Sequence, residues 1–234
     1  MQTVTKSKEE QSSGKKSTAS STFFYFRVSQ LAHFAMCAKR SKLELFNQVY
    51  KVPFGSKAIV RGNRMHKIYN TPYKSFNRQY LLYKLIQLNK YMVFERQVDN
   101  IVVRGSFDDV NVTYKDGKQA VSLVEVKTTG KPRLWSPELK CAIRQLQLYI
   151  WLMKPVLEKL GYVLSSVHNL EVYSQNSGAL LKKIDVYEDL EMETWIRMVV
   201  KSFQGLERVT IPERWVCKVC PRQVREACNW YERC

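Results

Sequence analysis

Hydrophobic positions along this chain repeat in two different periods, and the switches between them divide it into elements. A compact aromatic run, Phe23, Phe24, Tyr25 and Phe26, marks the start of order near Thr22. Ser29 follows as an expected N-cap for a helix through Leu31, Phe34 and Ala35 to Cys37. A short helical pattern covers 58–69 with Gly62 and His66, and a second covers 76–88, with Phe76, Tyr80, Tyr83 and Ile86 at helical spacing. The period then drops to that of strands. Residues 101–114 are rich in Val, Phe and Thr, Lys115-Asp116-Gly117-Lys118 is a hairpin turn, and 120–128 is the returning strand.

A helix start comes next, with Ser136 as N-cap, Pro137 at the first helical position and Glu138 in the first turn. Leu139, Ala142, Ile143, Leu146, Ile150 and Met153 form its apolar stripe. A further hairpin pairs 170–174 with 179–186 around Asn176-Ser177-Gly178. A helix over 190–203 then buries Met192, Trp195, Ile196, Val199 and Phe203 and ends near Gly205. Residues 1–21 are Lys, Ser, Thr, Glu and Gln without an apolar core and predict a disordered tail. Residues 206–234 are basic and cysteine-rich, too short for a core of their own. The order predicts a mixed α/β domain over 22–205, with a small cysteine-bearing lobe built from both ends of the chain.

Composition narrows the partner. The 234 residues carry 38 Lys and Arg against 21 Asp and Glu, a net charge of +17. Such an excess favours a polyanion, because each phosphate neutralised releases condensed counterions. No run approaches the ~20 apolar residues that cross a bilayer, and no secretory signal is expected, so the expected compartment is the cytoplasm. In a reducing compartment the six cysteines read as metal ligands or free thiols rather than a disulfide framework.

Two sets of residues carry candidate chemistry. Glu125 and Lys127 project from one face of the returning strand, while Val124 and Val126 project from the other. Asp108 lies on the partner strand, near a bend suggested by Gly105. Two carboxylates close together repel unless a cation sits between them, so the set suits Mg2+ or Mn2+, with Lys127 positioning water or offsetting charge on a phosphorane. The bland reading is a solvated strand face with cross-strand pairs. Gln145 and Tyr149, four apart, share one edge of the following helix, and His66 could add an imidazole ligand. In the second set, Cys217 and Cys220 are spaced to converge on one centre, with Cys228 a third ligand and Cys37 a distant fourth. Four thiolates satisfy both tetrahedral Zn2+ and a [4Fe–4S] cluster, so chemistry alone does not choose. Cys141 reads as core.

In this order, Gly62-x3-His66, Gly105-x2-Asp108, Glu125-x-Lys127 and Gln145-x3-Tyr149 resemble the RecB-like branch of the PD-(D/E)xK nuclease superfamily. With the flanking cysteines, the pattern resembles the CRISPR-associated RecB-like iron–sulfur exonucleases and their archaeal viral relatives, over about residues 26–228. The resemblance implies an α/β core with a central mixed sheet flanked by helices, and cleavage of single-stranded DNA. It implies His66, Asp108, Glu125 and the Val126 carbonyl as metal ligands, Lys127 as catalytic, and Gln145 and Tyr149 as its supporting pair. It also implies a [4Fe–4S] cluster on Cys37, Cys217, Cys220 and Cys228. Seven residues separate Cys220 from Cys228, more than the family's usual interval, which leaves Cys234 as the alternative. Implied partners are CRISPR integration proteins or viral replication proteins. A catalytically silent DNA-binding adaptor and a zinc-stabilised nucleic-acid module are the competing expectations.

Overall fold

The computed structural model describes residues 3–4, 23–45, 76–134, 136–205, 217, 220 and 222–228. The chain folds into mixed sheets flanked by helices. Where one central sheet was expected, the strands pair as two. The first contains β1 (Thr3–Val4), β2 (Phe23–Arg27), β3 (Phe94–Val98) and β4 (Ile101–Gly105), in the order β1-β2-β4-β3. The second contains β5 (Asp109–Lys115), β6 (Lys118–Thr129), β8 (His168–Ser174) and β9 (Leu180–Val186), in that order, with the short β7 (Val163–Leu164) also on β6. Each sheet is mixed, because β2 runs parallel to β4 and β6 runs parallel to β7 and β8.

The helices are α1 (Val28–Phe34), α2 (Ala38–Leu45), α3 (Phe76–Leu88), α4 (Ser136–Lys159), α5 (Met192–Phe203) and α6 (Arg222–Ala227). Helix α4 packs on strands of both sheets and on α1 and α5. That central position explains its buried run from Leu148 to Met153. One hydrophobic core joins α4 to Leu31, Val103, Leu123, Leu170 and Ile196.

Several elements depart from the pattern-based reading. The aromatic run at Phe23 is a strand rather than a lead-in, so the helix starts at Val28 and Ser29 lies inside its first turn. Gln30 supplies the capping instead, its side-chain oxygen accepting the Arg27 N–H at 2.8 Å. Thr3 and Val4 pair with β2 inside the segment predicted to be disordered. The predicted 101–114 strand is broken after Gly105, and β3 and β7 had no periodic signal strong enough to be seen. The predicted helix over 58–69 lies outside the described residues.

Helix α4 runs past Pro155, which has no N–H to give the Trp151 carbonyl four residues back. Arg96 takes over that acceptor, its guanidinium donating to Trp151 O at 2.6 Å while lying 4.4 Å over the Trp151 ring. The turn between β5 and β6 matches its sequence. Asp116 and Gly117 have φ of 51° and 74°, the pair of positive values of a type I′ turn.

Gly105, the last residue of β4, sits at a close approach of helices to the strand. A β-carbon there would lie 2.8 Å from Tyr149 Cε1 and 2.8 Å from Val28 Cγ2. The strand therefore passes between α1 and α4 only without a side chain. Gly105→Ala is expected to destabilise the protein by about 1–3 kcal/mol through overpacking. Chemical denaturation checks this, and an unchanged midpoint would contradict the close approach.

Candidate metal-dependent active site

The structure brings six of the predicted residues, Asp108, Glu125, Val126, Lys127, Gln145 and Tyr149, together where the two sheets part. After β4 ends, Phe107 is buried and stacks on Phe94, with ring centres 6.3 Å apart. That anchor presents Asp108 to β6. The β5–β6 ladder stops at the Asp109–Val124 pair, and beyond it the Val126 N–H donates to Asp108 Oδ2 at 2.9 Å. A strand residue's N–H and C=O face the same side, so the Val126 carbonyl faces the edge that Asp108 occupies.

Glu125 is buried on the opposite side chain register, facing α4, and its two oxygens have different fates. Oε1 accepts from Lys127 Nζ at 2.5 Å. Oε2 is buried with no hydrogen-bond partner. An anionic oxygen without a donor is costly in a core, so this atom is suited to a cation. Burial pushes the Glu125 carboxyl up to about 7; the Lys127 ammonium pulls against this, and the Asp108 carboxylate beside it adds to the rise.

Lys127 bridges strand and helix. It donates to Gln145 Oε1 at 3.0 Å, and Gln145 Nε2 donates to Tyr149 Oη at 3.4 Å. Burial alone would lower its pKa, but Glu125 outweighs that and holds it above the ordinary lysine value. Lys127 therefore stays an ammonium and acts as a donor, not a base. Burial likewise raises the Tyr149 phenol, with the Glu125 charge adding to it.

Asp109 does a different job from its neighbour. It is buried, and Arg78 of α3 donates Nε to its Oδ1 at 2.7 Å with a second contact from Nη2. Val110 N–H donates to the same oxygen at 2.7 Å. This pair, absent from the sequence reading, ties α3 to the loop that carries Asp108. Its signal was there: Arg78 shares the i, i+3, i+7 face of Leu81 and Leu85.

A cavity of about 550 Å3 opens at the site, with Lys127 and Gln145 in its wall. Its other lining side chains include His33, Arg40, Lys131 and Glu138, so its rim is largely basic, and Cys141 also lines it.

The donor set fits a divalent cation as two carboxylates, one with an orphaned oxygen, beside a backbone carbonyl. His66, the third predicted side-chain ligand, lies outside the described residues, as does Gly62. Among the described residues no three His, Cys, Asp or Glu side chains gather to hold a metal ion.

The cysteines converge in part. Leu43 of α2 and Val224 of α6 form a second small core, with Cys220 and Cys228 packed against it. Cys37 is buried, its thiol pushed up first by that burial, and it feels the charge of Cys228. Three predicted ligands from opposite ends of the chain thus share one lobe. Cys217 is buried next to them in sequence but is disulfide-bonded, and in that form its sulfur cannot be a thiolate ligand. Cys234 lies outside the described residues.

No helix among the described residues is long and apolar enough to cross a membrane. No family model matches the chain, and no curated protein matches it. Among solved structures the chain is similar to SSO0001, at 18% identity and a TM-score of 0.49, over 88% of this chain and 85% of that one. It is also similar to a protein described as "Putative exonuclease" from Eubacterium rectale, at 13% identity and a TM-score of 0.47, over 84% and 85%.

Proposed function

We propose that the chain is a divalent-metal-dependent nuclease that hydrolyses single-stranded DNA at Asp108, Glu125 and Lys127. The observation that carries this reading is Glu125 Oε2, a buried carboxylate oxygen without a donor, set beside a second carboxylate and a lysine. A structural salt bridge to Lys127 would need only one of those carboxylates; a proton shared with Asp108 serves the second while Glu125 is protonated, and a cation would take its place once Glu125 ionises. Asp108, Glu125 and the Val126 carbonyl would hold the ion. A cation bound there would supply Lewis acidity to the scissile phosphate and lower the pKa of an attacking water.

The chain's own groups do the rest. Lys127 keeps its proton and donates to a non-bridging phosphate oxygen or to the incoming water, offsetting charge that grows in the transition state. Gln145 fixes the ammonium from the helix side, and Tyr149 fixes Gln145. The basic cavity rim offers counter-charge to neighbouring phosphates. Single strands are favoured because the site is recessed between a sheet and α4, where Glu125 is buried.

The cysteine lobe, in this reading, holds a [4Fe–4S] cluster on Cys37, Cys217, Cys220 and Cys228 once Cys217 is reduced. Its contribution is to join the two ends of the chain rather than to act on the phosphate. Cys228 packs on the same small core as Cys220, which supports it as the third C-terminal ligand, with Cys234 kept as the alternative. The setting, CRISPR spacer acquisition or viral DNA processing, rests on the motif resemblance.

End-labelled linear single strands and covalently closed circles, each incubated with Mn2+ and with EDTA, test the function. Degradation of the linear strand in Mn2+ alone is the expected result. No cleavage of either substrate in Mn2+, or cleavage undiminished by EDTA, would contradict it.

A further inference from the structure

Helix α3 turns its aromatic residues outward. Leu81, Leu85 and the stem of Arg78 form its buried face, while Phe76 is 78% exposed, Tyr83 59% and Tyr80 46%. Four large apolar residues at helical spacing ordinarily face a core, and here Phe76, Tyr80, Tyr83 and Ile86 all face outward. The buried face is narrower, and it is fixed by the ion pair between Arg78 and Asp109.

The exposed rings are ordered. Phe76 and Tyr80 lie parallel, at 7° and 6.4 Å between centres, and the Lys84 ammonium lies 4.6 Å from the Tyr80 centre. No acidic residue occurs from Phe76 to Tyr91; Arg78 is buried against Asp109, and Lys84 and Lys90 supply the positive charge on the outer side. A patch of flat rings edged by cations complements a partner with flat faces and negative charge. A protein partner would need an apolar surface without the anionic component, which the +17 chain does not favour.

We infer that the outer face of α3, through Phe76, Tyr80 and Tyr83, is a base-stacking platform for single-stranded nucleic acid leading to the carboxylate site. This rests on the nuclease reading for its destination, not for its chemistry. Phe76 and Tyr83 are seven residues apart, about 10 Å along the axis, room for two or three bases. The Arg78–Asp109 pair links the platform rigidly to the residue next to Asp108.

The test uses the full chain and a fluorescent oligothymidine in EDTA, so that binding is read without cleavage. Replacing Phe76, Tyr80 and Tyr83 together with Ala should weaken binding roughly 30-fold or more, at two or three bases stacked. Replacing the same three with Trp should restore it and add fluorescence quenching on binding. Because all three side chains are exposed, a fold change is not expected, and circular dichroism checks it.

Unchanged affinity in the Ala variant overturns the platform. If the wild type still cleaves in Mn2+, the nuclease reading survives that result. Affinity lost in the Ala variant, with a wild type that never cleaves, keeps the platform and removes the nuclease. Sedimentation showing self-association that the Ala variant loses, at unchanged DNA affinity, would put a second copy on this face and also overturn the inference.

Discussion

Glu125→Gln is expected to abolish cleavage and, without metal, to make the protein more stable at neutral pH. Both effects follow from one atom. The carboxylate is an anion held in a core by burial, with its pKa raised to about 7 from an ordinary 4.5. An acid whose folded pKa is raised loses its proton first in the unfolded chain. Across pH 4.5 to 7 the native state therefore binds more protons, and its stability falls as pH rises. A shift of this size corresponds to on the order of 3 kcal/mol. Gln keeps an acceptor for Lys127 and removes the buried charge, so the variant should gain about 1–3 kcal/mol at pH 7.5 and nothing at pH 4.5.

His168 must be separated from this. It is buried, its Nδ1 accepts the Leu123 N–H at 2.9 Å, and burial lowers its pKa to about 4. A histidine with a lowered folded pKa loses stability as pH falls from 6.5 toward 4. In the wild type the two slopes oppose each other; in Glu125→Gln only the histidine slope remains. Urea denaturation at several pH values, in EDTA, reads both. Meanwhile cleavage in Mn2+ should fall by about 10³-fold or more, because transition-state stabilisation worth several kcal/mol is lost. A variant that is less stable at pH 7.5, or that still cleaves, would return Glu125 to a structural role.

Losing a cysteine should act in the opposite way, on stability more than on chemistry. Protein purified without oxygen or oxidant is expected to be brown, to absorb broadly near ~400 nm, and to contain about four irons per chain. Cys37→Ala should remove the iron and cost several kcal/mol, since the lobe ties together segments some 180 residues apart. Activity per folded molecule should survive better than in Glu125→Gln. Cys228→Ala and Cys234→Ala separate the two candidate ligands: a brown Cys228 variant beside a colourless Cys234 variant would reverse the assignment. Colourless wild type with one zinc would replace the cluster with a zinc site.

Much of this arrangement was legible because local patterns wrote it. The Asp116-Gly117 turn fixes the β5–β6 hairpin, and that hairpin alone puts Glu125 and Lys127 on one face. Ser136-Pro137 starts α4, and i, i+4 spacing sets Gln145 against Tyr149. What escaped were features decided by tertiary contact. Nothing local says that β4 and β5 belong to different sheets; Gly105 was read as a bend, while its reason is the closeness of Tyr149 and Val28. Nor does any period say that α3 faces its aromatics outward, because the side a stripe faces depends on which neighbour needs Arg78. Nor does the sequence show that α4 continues through Pro155, because the donor to the Trp151 carbonyl comes from Arg96, distant in sequence.

Direct contact between a divalent cation and the carboxylates is tested by calorimetric titration of Mn2+ at pH 6 and pH 8.5, in buffers of different ionisation enthalpy. With Asp108 and Glu125 as ligands, binding at pH 6 should release about one proton, taken from Glu125, and at pH 8.5 almost none. The same titration of Glu125→Gln should show binding greatly weakened and no proton release. Mn2+ binding of equal strength and proton count in both proteins would place the ion elsewhere and contradict the site.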